Sequence, residues 1–450
     1  MKSSTDTENE PTSTQKNGVR MGYPPSAVAP SRDSESLPDR KPRTDVRGYS
    51  LGANHCRFQT NCDLQVSILG ARTLLLLFLI SLILFAAACR RKPTGGEPAY
   101  AYVANGKSDT VTVIDLATMQ PVRTLNVGKS PTGLAANPKR PEVYVVNTDS
   151  GTVSVIDSHS NQLTGTIGVQ RSPYFISVTD DGRWGYVANS GSNTVSMINL
   201  DRHQVVSTIG VGLQPGVAKA SHDGSVVVVS NRGSDSVSII DGTARRLRAT
   251  VAACRNPEDI AILPDGSKAF VACTGSNEVA AIDLKSARVL ALLKVGGTPV
   301  SLALKPDGGE VFVCNYHAHT ISAINTTTNE VSESFLAGDD PVEAVVSSDS
   351  SLLFVSNMAS DTVAVFNVDT RKMLVSVHVG DGPDALALSP GETMLFVGDS
   401  VSGDTAVLRL DKRMNKKVTG PNPRLFTMIA TGAQPRSVVI KGMEPQQAQQ

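Results

Sequence analysis

Aromatic residues make up only 4% of this 450-residue chain, with a single Trp, so large rings cannot dominate its core. Val, Ile, Leu and Ala must fill it instead. An excess of charge is also missing: Lys plus Arg and Asp plus Glu both count 42, which removes whole-molecule attraction to nucleic acid or an anionic surface. No nucleic-acid partner is expected, and any charged partner has to be met locally. The six cysteines, at 56, 62, 89, 254, 273 and 314, include no CxxC pair and no zinc-finger spacing, which argues against a structural zinc site. None of the seven histidines stands at motif spacing from a Ser or Cys nucleophile, so triad chemistry is unsupported and no catalytic residue is assigned. What the chain does have is 37 Gly and 25 Pro, the punctuation of many short strands.

Residues 1–65 are polar and rich in Ser, Thr, Pro, Asp and Arg, and are read as a disordered leader or the product of a misassigned start. Residues 66–89 follow as a signal or anchor. The apolar run Leu74 to Ala88 has 15 residues, roughly 22 Å as a helix against a hydrocarbon core of about 30 Å, which suits a signal h-region better than a span. With Arg72 before it and Ala86-Ala87-Ala88-Cys89 closing it, the segment resembles a bacterial lipoprotein signal, with Ala86 where that family usually carries Leu. The resemblance implies lipidation at Cys89. An uncleaved anchor is the competing reading, and Arg90, Arg91 and Lys92 would then hold the C-terminal side in the cytoplasm. Residues 90–98 read as a tether, and residues 443–450 as a polar tail.

From Ala99 onward the chain repeats every 42 residues. Val recurs at 103, 145, 187, 229, 271, 313, 355 and 397, and Asn two places later at 105, 147, 189, 231, 315 and 357, with Cys273 and Asp399 as exceptions. These Asn residues are expected to serve strained turns by bonding their own backbone. Thr110-Val-Thr-Val-Ile-Asp115 and its copies alternate as β-strands do. A third strand closes on Gly, and a fourth opens on Pro131, Pro173, Pro215, Pro257, Pro299, Pro341, Pro383 or Pro435 and ends in an Asp-Gly hairpin signal such as Asp265-Gly266. Four strand signals in each of eight units predict an all-β propeller of four-stranded blades over residues 99–442. If Asp-Gly joins strands one and two, each blade starts at Pro. The strands after Ala99 must then pair with the last strand, Arg436 to Lys441, to close the ring.

The repeat resembles the YVTN-type propeller family, which residues 264–283 quote as Pro-Asp-Gly-Ser-Lys-Ala-Phe-Val-Ala-Cys-Thr-Gly-Ser-Asn-Glu-Val-Ala-Ala-Ile-Asp. Members of that family have seven blades, so seven is the alternative to the eight that the repeat count gives.

By fold analogy, ligands meet a propeller at the channel mouth, where residues just after each Pro vary. Tyr174, Glu258, Asp259, Glu343, Asp384 and Arg436 are the candidates there for a ligand or divalent-cation site, against a reading as solvated strand ends. His317 and His319, with Cys314 three residues ahead of the first, form Cys-x-x-His-x-His and are candidate metal ligands. Cys254 and Cys273 stand at the same end of one hairpin and are a possible disulfide if the domain is exported, with Cys314 as a rival partner. Asp411 to Val418 adds a basic loop suited to lipid phosphate or an acidic partner, or simply to solvent.

The function these features favour is a non-catalytic binding or scaffold module at the cell envelope, without a required cofactor. It would be membrane-attached through its lipid anchor or apolar segment, facing the periplasm or the cell exterior, and would meet an envelope protein or a small ligand. One alternative is a lactonase-like or other metal-assisted hydrolase using the mouth carboxylates. Another is a haem-binding propeller resembling the haem domain of cytochrome-type nitrite reductases, with His317 or His319 as axial ligand.

Overall fold

A computed structural model describes residues 99–410 and 423–442. The leader, the 66–89 segment with Cys89, the tether, the 443–450 tail and the basic loop from Asp411 lie outside the described residues. Within them, 32 strands form eight separate four-stranded antiparallel sheets. Each sheet is a blade named here by its inner strand. Blade 1 opens with Pro131–Ala136, blade 2 with Pro173–Val178, blade 3 with Pro215–Ala220 and blade 4 with Pro257–Ile262. Blade 5 opens with Pro299–Leu304, blade 6 with Pro341–Val346, blade 7 with Pro383–Leu388 and blade 8 with Pro435–Gly442. The Asp-Gly turns connect strands one and two, as in Pro257–Ile262 to Lys268–Cys273, so the blades start where the prolines place them.

Blade 8 is built from both ends of the domain. Ala99–Asn105 pairs with Pro435–Gly442 in the register Ala99↔Gly442 and Val103↔Val438, which closes the ring. Ala99–Asn105 is therefore paired on both sides, and the seam blade is as complete as the other seven.

Second strands form the core. The repeating Val at 103, 145, 187, 229, 271, 313, 355 and 397 is fully buried in every blade. The residue before it, Tyr102, Tyr144, Tyr186, Val228, Phe270, Phe312, Phe354 or Phe396, packs between blades; Tyr102, for example, lies in one cluster with Val143, Val145 and Ile156 of blade 1. Burying such a ring contributes roughly 2–3 kcal/mol, so the few aromatics are spent where sheets must adhere to each other.

The repeating Asn does something other than what its turn chemistry suggests. Asn147 is fully buried, and its Nδ2 donates to the hydroxyls of Thr152 at 3.1 Å and Ser154 at 2.9 Å rather than to its own backbone. The same pair of bonds recurs from Asn105, Asn189, Asn231 and Asn315. Burial selects side-chain partners here, because an amide without them would carry a large desolvation cost.

Loops between blades are clamped from both sides. Asp109 Oδ1 in the turn of blade 8 accepts the Ser130 N–H at 2.8 Å, and Ser150 Oγ in the turn of blade 1 accepts the Lys129 N–H at 2.7 Å. On the opposite face, residues 61 apart join adjacent blades: Glu142 with His203, Lys268 with Asn329 and Glu310 with Arg371. The upper clamps fix the loops that lead into the channel mouth.

Candidate functional site

The residue after each inner Pro is left out of its ladder. Pro131↔Asn147 is followed by Gly133↔Val146, one residue is likewise passed over after Pro173, Pro299, Pro341, Pro383 and Pro435, and two are passed over after Pro215 and Pro257. A bulge re-aims the side chain it frees. Tyr174, Glu258, Asp259, Asp384 and Arg436 are all such skipped residues, whereas Glu343 remains paired opposite Ser356.

Two of the four carboxylates are tied to cations. Glu258 forms an ion pair with Arg232, which also lies over the Tyr174 ring with its guanidinium carbon 4.7 Å from the centroid. Gly216 makes this possible, since a Cβ there would come within 2.6 Å of Arg232 Nε. Blades 2, 3 and 4 thus share one guanidinium. Burial pushes the Glu258 carboxyl upward and Arg232 pulls it back. Asp384, only 8% exposed, faces Arg436 of the next blade at 4.0 Å; burial raises its carboxyl to about 6 despite that cation.

The other two carboxylates hold strands together. Asp259 Oδ2 accepts the N–H of Leu302 in blade 5 at 2.9 Å, and Glu343 Oε2 accepts the N–H of Leu386 in blade 7 at 2.9 Å. Burial lifts Glu343 to about 8, with Asp384 and Asp259 adding repulsion and Lys219 opposing it. Tyr174 lies within electrostatic reach of Arg232, Glu258, Asp384 and Arg436, and Glu343 within reach of Asp384, Asp259 and Lys219. Arg232 and Lys219 stand among these groups without having been singled out from the sequence. Arg232 was visible as the one charge at a repeat position otherwise held by Gly106, Thr148, Ser190, Thr274, Tyr316, Met358 and Ser400.

The Cys-x-x-His-x-His residues do not converge. Cys314 is a fully buried thiol in the core between blades 5 and 6, held protonated by burial. His317 Nδ1 shares a 2.9 Å hydrogen bond with Thr298 Oγ1. His319 Nδ1 accepts the Asp340 N–H at 3.0 Å, the place taken by Asp109, Asn193, Asp235, Asn277 or Asp361 in other blades. Among the described residues no three His, Cys, Asp or Glu side chains are grouped as metal ligands.

Cys254 and Cys273 form a disulfide with Cα atoms 5.8 Å apart. They replace the Gly and the buried Asn of the repeat, so in blade 4 a covalent bond stands where blades 1, 3, 5, 6 and 8 have an amide packed on a glycine.

A family model described as YNCE-like beta-propeller matches residues 86–389. No curated protein matches. Among solved structures, hydrazine synthase of Kuenenia stuttgartiensis is similar at 21% identity and TM-score 0.53, over 62% of this chain and 95% of that one. Dihydro-heme d1 dehydrogenase NirN in complex with DHE is similar at 14% identity and TM-score 0.63, over 75% of this chain and 74% of that one. Apo AztD from Citrobacter koseri is similar at 17% identity and TM-score 0.58, over 77% and 99%. Likeness at these identities is a likeness of fold alone.

Proposed function

This chain belongs to the YNCE-like beta-propeller family, and from that premise we propose that it is a non-catalytic binding module of the cell envelope whose channel mouth receives a small polar ligand or a protein segment. The observation that carries this reading is the fixing of the mouth charges. Glu258 is spoken for by Arg232, Asp384 faces Arg436, and Asp259 and Glu343 bond backbone N–H groups of the next blade. Polar and charged groups held this way present a preorganised surface, which favours recognition. They are poorly placed for metal-assisted hydrolysis, which needs carboxylates free to ligate.

Envelope placement rests on the Ala86-Ala87-Ala88-Cys89 motif together with the Cys254–Cys273 disulfide, since such bonds persist in oxidising compartments. Intact-mass analysis of the chain from its native membranes tests it. A mass for residues 89–450 plus acyl groups is expected, and an unmodified full-length mass would refute it. The binding role is tested by photo-crosslinking from position 174 in intact cells. A discrete adduct, lost in Arg436→Ala and Arg232→Ala, is expected; adducts indifferent to both changes would reject the mouth as the site.

A further inference from the structure

Blade 7 departs from the repeat at two facing positions. Where six of the other blades carry a buried Asn and, five residues on, Thr or Ser as its hydrogen-bond partner, and blade 4 carries the disulfide Cys273, blade 7 has Asp399 and Asp404, paired directly across the second and third strands. Asp399 is fully buried. A Cβ on Gly380, in the loop leading into blade 7, would lie 2.6 Å from Asp404 Oδ1 and 2.7 Å from Asp399 Oδ2, so both carboxyl groups crowd one small space. Ionised carboxylates only accept hydrogen bonds, so two of them crowded into one buried space adjoin favourably only when one carries a proton.

We propose that Asp399 and Asp404 share one proton and act as a proton-dependent latch, fastening the upper turn of blade 7 to the loop above it and releasing as pH rises. The turn is positioned for this. Ser402 Oγ donates to Asp404 Oδ1 at 2.9 Å and accepts the N–H of Asp381 at 3.1 Å, so Asp404 holds the hydroxyl that clasps the incoming loop. The N–H groups of Gly380 and Ala406 point to Asp399. Charged groups on the surrounding elements are Asp381 in the same loop, Asp361 of the preceding turn, whose Oδ1 accepts the Gly382 N–H, and Lys107 of blade 8, which with Ser400, Ser402 and Gly403 lines a shallow surface depression. Two N–H groups and a remote ammonium do not offset two adjoining negative charges in a buried place.

Burial, with the charge and hydrogen bond of Asp404, raises Asp399 to about 8. The folded protein then binds more protons than the unfolded chain between about pH 4 and pH 8, so the latch stabilises fully at low pH and is lost as pH rises through about 8. This inference is independent of what the channel mouth binds.

The test compares thermal unfolding midpoints of the full chain from pH 5 to 9, in chelator, with those of Asp399→Asn/Asp404→Thr, which restores the Asn and Thr of the repeat. Asp399→Asn alone serves as a second variant. The natural chain is expected to lose roughly 5 °C more than the double variant between pH 6 and 9. Parallel profiles for the natural chain and both variants would overturn the proposal. So would a difference that calcium ions abolish at high pH, because a cation rather than a proton would then be the natural occupant.

Discussion

The Asp259 carboxylate in blade 4 accepts the N–H of Leu302 in blade 5 at 2.9 Å, and Ser437 Oγ in blade 8 accepts the N–H of Leu134 in blade 1 in the same repeat register. A charged and a neutral acceptor therefore do one job at equivalent seams. Asp259→Ala should cost about 1–3 kcal/mol by leaving the Leu302 N–H without its acceptor, while Asp259→Asn should recover most of it. Urea denaturation of the three proteins checks this. Equal midpoints would show that the seam does not depend on this bond.

Glu343 makes the matching bond to Leu386 from a place where burial raises its carboxyl to about 8, and Asp384 beside it stands at about 6. A folded value above the unfolded one means that the native state holds the extra proton. The contribution to stability is complete below the unfolded value near about 4 and falls as pH rises through about 8. Glu343→Gln should be more stable than the natural chain at about pH 8.5 and should flatten the pH profile. Its denaturation midpoint at about pH 5 and 8.5 measures both.

The Cys254–Cys273 bond closes a loop of 19 residues of separation. Replacing both by Ala should cost about 2–4 kcal/mol, and dithiothreitol should destabilise the natural chain but not the double variant. Thermal melts with and without reductant give the comparison, with Cys314→Ala as a control that keeps the disulfide.

Removing residues 436–450 should destabilise every blade, because it strips the inner strand from Ala99–Asn105 and opens the ring. Circular dichroism melts of the truncated chain are expected to lose cooperativity. A native midpoint would contradict closure by this strand.

Most of the fold was legible because a propeller writes the same instructions eight times. Val103 and its copies announced buried second strands, the inner Pro marked each blade start, and the phase implied that Ala99 and Arg436 share a sheet. The site was harder to read. The seam bonds of Glu343 and Asp259 were not legible, because spacing within one repeat cannot show that a carboxylate reaches an N–H 43 residues away in the next blade. Arg232 stood out as a charge at its repeat position, but its partners did not, because its place above Tyr174 and beside Glu258 is set by three blades and a glycine at 216 that are far apart in sequence. His319 shows the converse. A histidine that looks chemically special fills a loop-clamping position that Asp or Asn fills elsewhere.

Blade 8 also sets the order in which the molecule can be made. Leu134 and Ser437 meet across 303 residues, so during synthesis the early blades have to wait as an open arc while the rest of the chain emerges. Until the last strand is delivered, Ala99–Asn105 presents a bare backbone edge, and only its arrival ends the risk that a neighbouring nascent chain pairs there first.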